Sequence, residues 1–383
     1  MDLRFRPMNS IRLVAPFFFV LCLPLLSACS KSGEILQGLG QPSSPNAPGE
    51  ASFVVEVVEA LQDRLVLIQN ADGGWDWSSL PDELENSTQA ETEHANMFGV
   101  NALGVLDAHR VTQKPAARAA VEKTVSALMA KPLSRTKRLY SSDCELLVRA
   151  GQSFQDSTVR DKGYACQVVE KEFFAAIHLL GKTSPQEKKV EELTQQQIDS
   201  VTDTQLALAA RARSISMGRT ANLRAFDWTS RMRVALERGD TRYHRAFAEV
   251  VAMDYHDLSV EKDWFLLGLA ATISNLISLR SEAQFEAIVE EARIRLLGFQ
   301  KESGLFEGVS SNGSKKHGSI QDQAFIARAL IALNEKASLL KLAVALKNKM
   351  LPSGNFIESD GKETPETESE LLTSLVLYLE DKN

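Results

Sequence analysis

Apolar residues recur along this chain with the period of a helix, and they do so in two distinct ways. In EAQFEAIVEEARIRLLGF, from Glu282, residues Phe285, Ile288, Val289, Ala292 and Leu296 fall on one stripe. Between Tyr243 and Val251, residues Tyr243, Phe247, Val250 and Val251 do the same. These patterns predict helices with a single buried face. Other segments are apolar nearly all round: ANMFGVNALGVLDA after His94, WFLLGLAATISNLISL from Trp264, and AFIARALIAL from Ala324. A helix with no polar face has to be wrapped by other helices.

The two kinds alternate. Residues 53–68 are one-faced and 95–108 enclosed; 282–299 are one-faced and 324–333 enclosed. Repeated pairs of this kind bury everything if the enclosed helices form an inner ring and the one-faced helices surround it. The expected fold is therefore all-α, an α/α toroid of about six helical hairpins. A right-handed solenoid of hairpins is the competing arrangement.

The loop after an outer helix recurs with variations: IQNADGGWDW at 68, GFQKESGLFEG at 298 and LPSGNFIES at 351. Each joins a small or acidic turn residue to Gly and then to an aromatic ring, and the first two carry a Gln before the turn. Here the chain resembles the terpenoid cyclase and protein prenyltransferase superfamily. Its QW repeats read Gln, two residues, then Asp-Gly-Gly-Trp or a relative. QNADGGW is a full match, and the later two copies are degenerate. The resemblance implies the toroid, and it covers residues 115–240 only by helix pattern. Physically, Gly permits a tight reversal at positive φ, Gln can bond backbone groups, and the aromatic ring can cover the gap between hairpins. Gln69, Asp72, Gly73, Gly74 and Trp75 thus read as a structural staple, whereas Asp76 and Trp77, beyond the motif, can reach a cleft.

The chemistry-bearing marks of that superfamily are missing. There is no DxDD run for acid-initiated cyclisation, no Asp-x-Cys for a prenyltransferase zinc, and no GCGEQ thioester. The six His are scattered, without HExxH or CxxC, so no metal and no cofactor is expected.

In a toroid the inner helices run parallel, and their N-termini gather at one mouth with free N–H groups and positive dipole ends. The residues at those expected starts are polar: His94 and Asn96, Asp143, Asp203, Asp263 with Trp264, Gln321 with Asp322, and Glu368 and Glu370. Any one of these acids is a good helix cap. As a ring, carboxylates facing one another across an apolar cleft shift apart in pKa and form acid and base pairs. Asp143, Asp263 and His94 are the expected catalytic set. Asp76, Trp77, Asn96, Trp264, His317 and Asp322 are the expected cleft-binding set, the Trp rings offering flat faces to sugars.

The first residues change the picture of where the protein works. Arg4, Arg6 and Arg12 precede the apolar run LVAPFFFVLCLPLL, which is too short to span a membrane and reads as a secretory signal. It ends in Leu26-Ser27-Ala28-Cys29, which resembles the bacterial lipobox. That resemblance implies cleavage after residue 28, acylation of Cys29 and a membrane partner through the lipid. By resemblance to enterobacterial lipoprotein sorting, Ser30, with no Asp at that place, implies the outer membrane of the cell envelope. Residues 29–51, rich in Gly, Ser and Pro, read as a tether reaching roughly 25 Å, and residues 52–383 as one toroid domain.

Removing residues 1–28 takes away three basic and one acidic residue, which leaves 40 against 49, near −9. That balance argues against nucleic acid. In an oxidising compartment Cys144 and Cys166 are expected to form a disulfide, with two buried thiols as the alternative. The SSNGSKKHGS loop at 310 is a basic candidate lid, and SPQEKKVEELTQQQ at 184 a solvated linker. Two functions follow: a glycan-handling envelope protein, since many α/α barrels with an acidic mouth act on polysaccharides, or a non-catalytic lipoprotein binding a peptide, protein or lipid-linked partner.

Overall fold

A computed structural model describes residues 50–76, 97–358 and 361–382. The signal, Cys29, most of the tether, Trp77, His94 and Asn96 lie outside the described residues. The helices are α1 (Glu50–Leu67), α2 (Gly99–Thr112), α3 (Pro115–Ala130), α4 (Ser141–Ser153), α5 (Ser157–Leu180), α6 (Glu187–Glu191), α7 (Gln195–Asp199) and α8 (Asp203–Ser216). They continue as α9 (Ala221–Asp227), α10 (Thr229–Glu237), α11 (Thr241–His256), α12 (Phe265–Leu276), α13 (Ala283–Leu297), α14 (Ile320–Ala332), α15 (Lys336–Lys349) and α16 (Pro365–Lys382). A small hairpin, β1 (Gly308–Val309) and β2 (Lys316–His317), pairs Gly308 opposite His317.

The enclosed helices close a ring. α2 packs on α4, α4 on α10, α9 on α12, α12 on α14, α14 on α16, and α16 back on α2. All but one residue of α12 are buried, as is every residue of α2 from Gly99 to His109. The one-faced helices lie outside: α13, for example, turns Phe285, Ile288, Val289, Ala292 and Leu296 toward α12. Each such aliphatic or aromatic side chain contributes about 1.5–3 kcal/mol when fully buried. Inner helices touch backbone to backbone where Gly allows it. A Cβ on Gly104 would collide with Ser369 of α16, and one on Gly99 with Ser142 and Asp143 of α4.

One inner helix differs from expectation. The third is the broken pair α9 and α10, interrupted at Trp228, and α8, which begins at Asp203, lies in the outer layer between α5 and α11. The run at 184 forms α6 and α7, each pinned by one buried residue, Val190 and Ile198.

The recurring turns do what their residues predict. Gln69 Nε2 donates to the Gly73 carbonyl at 3.0 Å and to the Ala120 carbonyl of α3 at 3.0 Å. The Gly74 N–H donates to Asp72 Oδ1, and the Trp75 indole to the Leu65 carbonyl at 2.8 Å. Gln300 repeats this on Gly304 and on Ser338 of α15. Each turn thus fastens one outer helix to the next. The third closes the circle: Gly354, at φ 81, lies with the site of a Cβ 2.8 Å from the Ala60 carbonyl of α1. Close by, Arg64 of α1 makes a fully buried double contact with Glu363, at 2.8 and 2.6 Å. The Cys144–Cys166 disulfide is present and ties α4 to α5, with Cα atoms 5.6 Å apart.

Candidate functional site

The acids expected at the mouth divide into two groups. Asp143 is buried in the first turn of α4, where Oδ1 accepts the Gly99 N–H at 2.8 Å and Oδ2 the Tyr140 N–H at 3.2 Å. It therefore joins two adjacent inner helices. Burial pushes its carboxyl up to about 6, against those two N–H groups and the Lys131 charge. Asp322 repeats the arrangement, accepting from Gly318 and Ser319 at the start of α14 and from Leu267 of α12. Burial raises it as well.

Asp263 is placed differently from expectation. α12 begins at Phe265, so Asp263 precedes it on the surface and pairs with Lys315 at 2.9 Å. The broken helix α9–α10 stands between α4 and α12 in the ring, so the starts of those two helices are not opposite. Trp264 holds the N-cap in the left-handed region at φ 66 and is 37% exposed. His317 is buried, with Nε2 2.8 Å from the Val260 carbonyl and its ring 5.9 Å from that of Phe265. Asp76 is buried and accepts from Asn70. The basic loop at 310 is a seated hairpin, held by Ser311 on Glu261 as well as by Lys315 and His317.

The concentration of charge lies lower, on the axis. On α2, Gly99 meets α4 and Gly104 meets α16, and Asp107 falls between them on the helical wheel, facing the enclosed space. There Asp107 pairs with Arg149 of α4, and Arg233 of α10 donates to Glu145 of α4 at 3.2 Å. Arg328 of α14 donates to Glu370 of α16, and Arg219 meets Asp227 of α9 at 3.3 Å. Phe226 and Phe325 touch edge to face with centroids 5.0 Å apart.

Electrostatics sort these carboxyls. Glu366, one turn before Glu370 on α16, is pushed up to about 8 by burial and by the neighbouring Glu370, with Arg219 opposing and Asp227 adding. Asp227 is raised by burial against Arg219 and Arg231. Burial also works on Glu145, but Arg233 and Arg149 more than offset it and hold its carboxyl below the usual range. One acid that keeps its proton near neutrality, Glu366, thus sits in one cluster with another, Glu145, whose ionised form is favoured.

Part of the cluster is unsatisfied. Asp107 Oδ2, Glu145 Oε2 and both Nε and Nη1 of Arg328 are buried without a hydrogen-bond partner among the described residues. Each such atom costs about 1–3 kcal/mol unless water or a ligand meets it. Among the described residues, no group of three or more His, Cys, Asp or Glu is arranged to hold a metal ion.

A closed inner ring with outer helices stapled in sequence defines an α/α toroid, the terpenoid cyclase-like fold. No protein-family model matches the chain, and no curated protein matches it in sequence. In structure it is similar to a variant of the type II terpene cyclase MstE from Scytonema, in complex with geranylgeranyl dihydroxybenzoate. The TM-score is 0.52 at 11% identity, covering 88% of this chain and 100% of that one. It is similar as well to a possible member of the GH105 family from Klebsiella pneumoniae, with a TM-score of 0.52 at 11% identity over 90% of this chain and 96% of the other. These likenesses carry the fold alone.

Proposed function

We propose that the protein is a lipid-anchored envelope toroid that binds and processes a glycan at its axial cluster. The observation that carries this reading is the meeting of unpartnered Arg328 N–H groups and unpartnered Glu145 and Asp107 oxygens from three inner helices. A sugar hydroxyl both donates and accepts, so a polyol satisfies such a mixed set in a way that a hydrocarbon does not. The same charges disfavour an isoprenoid, whose burial here would leave every ion further desolvated. The GH105-like neighbour is compatible with a carbohydrate ligand.

For processing, Glu366 is the proton donor to the leaving oxygen, and Glu370, one turn away on the same face and paired with Arg328, is the second carboxyl. Side chains at that spacing are neighbours on one helix face, with Cβ atoms about 5–6 Å apart, so both carboxyls can reach one bound sugar. Acylation at Cys29 and an outer-membrane address complete the reading. Fatty-acid labelling that survives Cys29→Ala removes the anchor.

The contact of Phe226 with Phe325 and the pairing of Arg149, Arg219, Arg233 and Arg328 with carboxylates favour a second reading in which the toroid binds a partner without turnover. A glycan array and a hydrolysis screen on the soluble domain separate the two. Under the first reading Glu366→Gln abolishes turnover and retains binding. Binding without any turnover by the wild type leaves the second.

A further inference from the structure

Beside the ring, the segment from Lys131 to Arg138 carries four basic residues and no acid in a chain of net negative charge. Its Arg135 is used up: it pairs with Glu172 at 3.0 Å and donates to the Leu193 carbonyl. Arg138 is not. Its guanidinium lies 3.5 Å from the centroid of the Phe173 ring, with no hydrogen-bond acceptor among the described residues. Arg213 from α8 approaches the same ring at 5.1 Å, held from behind by the Thr183 carbonyl at 2.6 Å. Arg231 from α10 lies 5.6 Å from the ring of Phe174. Glu170 is the carboxylate within this group, and it is already bonded to Arg231 at 2.9 Å.

Three guanidinium groups stand around two adjacent rings, and the carboxylates that act on them, Glu170 and Asp227, both act on Arg231, with Asp227 shared with Arg219, so positive charge is in excess at Arg138 and Arg213. Burial pulls Arg138 down to about 10, Glu170 opposing and Arg213 and Arg231 adding to the fall. A site that holds its half-buried cations partly out of water and leaves one fork unfilled is built for an anion, because Arg presents planar, paired donors that match an oxyanion. The rings beneath hold the guanidinium planes in place, so little side-chain freedom is lost on binding.

We propose that Arg138, Arg213 and Arg231 form an oxyanion site beside the toroid axis, taking the phosphate or carboxylate group of an acidic ligand. It does not depend on the axis handling a glycan. The site differs from the axial cluster in kind: there the charges balance and the unsatisfied atoms are of both signs, whereas here donors alone are left over.

The test is calorimetric titration of the whole chain with inorganic phosphate and, separately, with glucuronate, at an ionic strength fixed with chloride. Saturable binding of at least one anion is expected, and the tighter of the two assigns the phosphoryl or the uronate source. Arg138→Gln weakens it at least tenfold, and Arg213→Gln serves as a second variant. Arg280→Gln, at an exposed residue elsewhere, leaves it unchanged. Absence of saturable binding for both anions overturns the proposal, as does wild-type affinity in folded Arg138→Gln or Arg213→Gln.

Discussion

Replacing Glu366 by Gln removes an ionisable group from the toroid axis while keeping the shape of the side chain, and its effect should depend steeply on pH. In the folded protein this carboxyl titrates at about 8, raised by burial and by Glu370; its ordinary value is 4.5. The raised value means that its contribution is fully present below pH 4.5, where both states hold the proton. It is lost as pH climbs through 8, since the unfolded chain ionises first and the folded chain follows with difficulty. The full shift corresponds to an upper bound of about 5 kcal/mol, of which about 3 falls between pH 5.5 and pH 8. Water entry beside the partly exposed Arg219 will lower that figure. Urea unfolding of wild type and Glu366→Gln at pH 5.5, 6.5 and 8 should therefore show the variant gaining on the wild type by about 1.5–3 kcal/mol over this range. A constant difference at all three values would mean that Glu366 ionises normally and cannot serve as an acid near neutrality.

Asp143→Asn should be costly, although Asn is a good cap, because two different N–H groups occupy the two carboxylate oxygens. Asn offers one acceptor and leaves the other N–H buried, a loss of about 1–3 kcal/mol by chemical unfolding at pH 7; a loss below about 0.5 would return Asp143 to an ordinary cap. For the staple turns the pair to compare is Gly304→Ala and Gly313→Ala. Both glycines have positive φ, but a Cβ on Gly304 would strike the Lys341 carbonyl whereas Gly313 stands in open space. The first should lose several degrees more in thermal unfolding, and equal losses would show that backbone strain alone is at work.

The ring of helices was legible because all-round apolarity has one physical solution, enclosure, and because the Gln-Gly-aromatic turns repeat. The third inner helix was not, since its break at Trp228 leaves pieces of seven and nine residues, too short to display a period. Of the candidate site only Glu370 was singled out, and the rest escaped for a different reason. Acids at helix starts drew attention, but Asp143 and Asp322 turned out to spend both oxygens on neighbouring backbones. The useful signal was a charge inside an otherwise apolar helix: Arg328 within AFIARALIAL, or Glu145 with Arg149 and Glu366 with Glu370 one turn apart. Such residues are expensive to bury and are therefore placed for a reason. Their partners come from other helices, which no local pattern reveals.

The Arg64–Glu363 contact joins positions 299 residues apart. A stack of repeats can begin to fold as soon as its first members exist, but a circle has no stable arc: until α16 arrives, α1, α2 and α14 all present a bare flank. A chain threaded through a membrane from its N-terminus would thus remain open, greasy and vulnerable to proteases for nearly its whole passage. Its safety in that interval rests on whatever escorts it, and on how quickly the last helix follows the first.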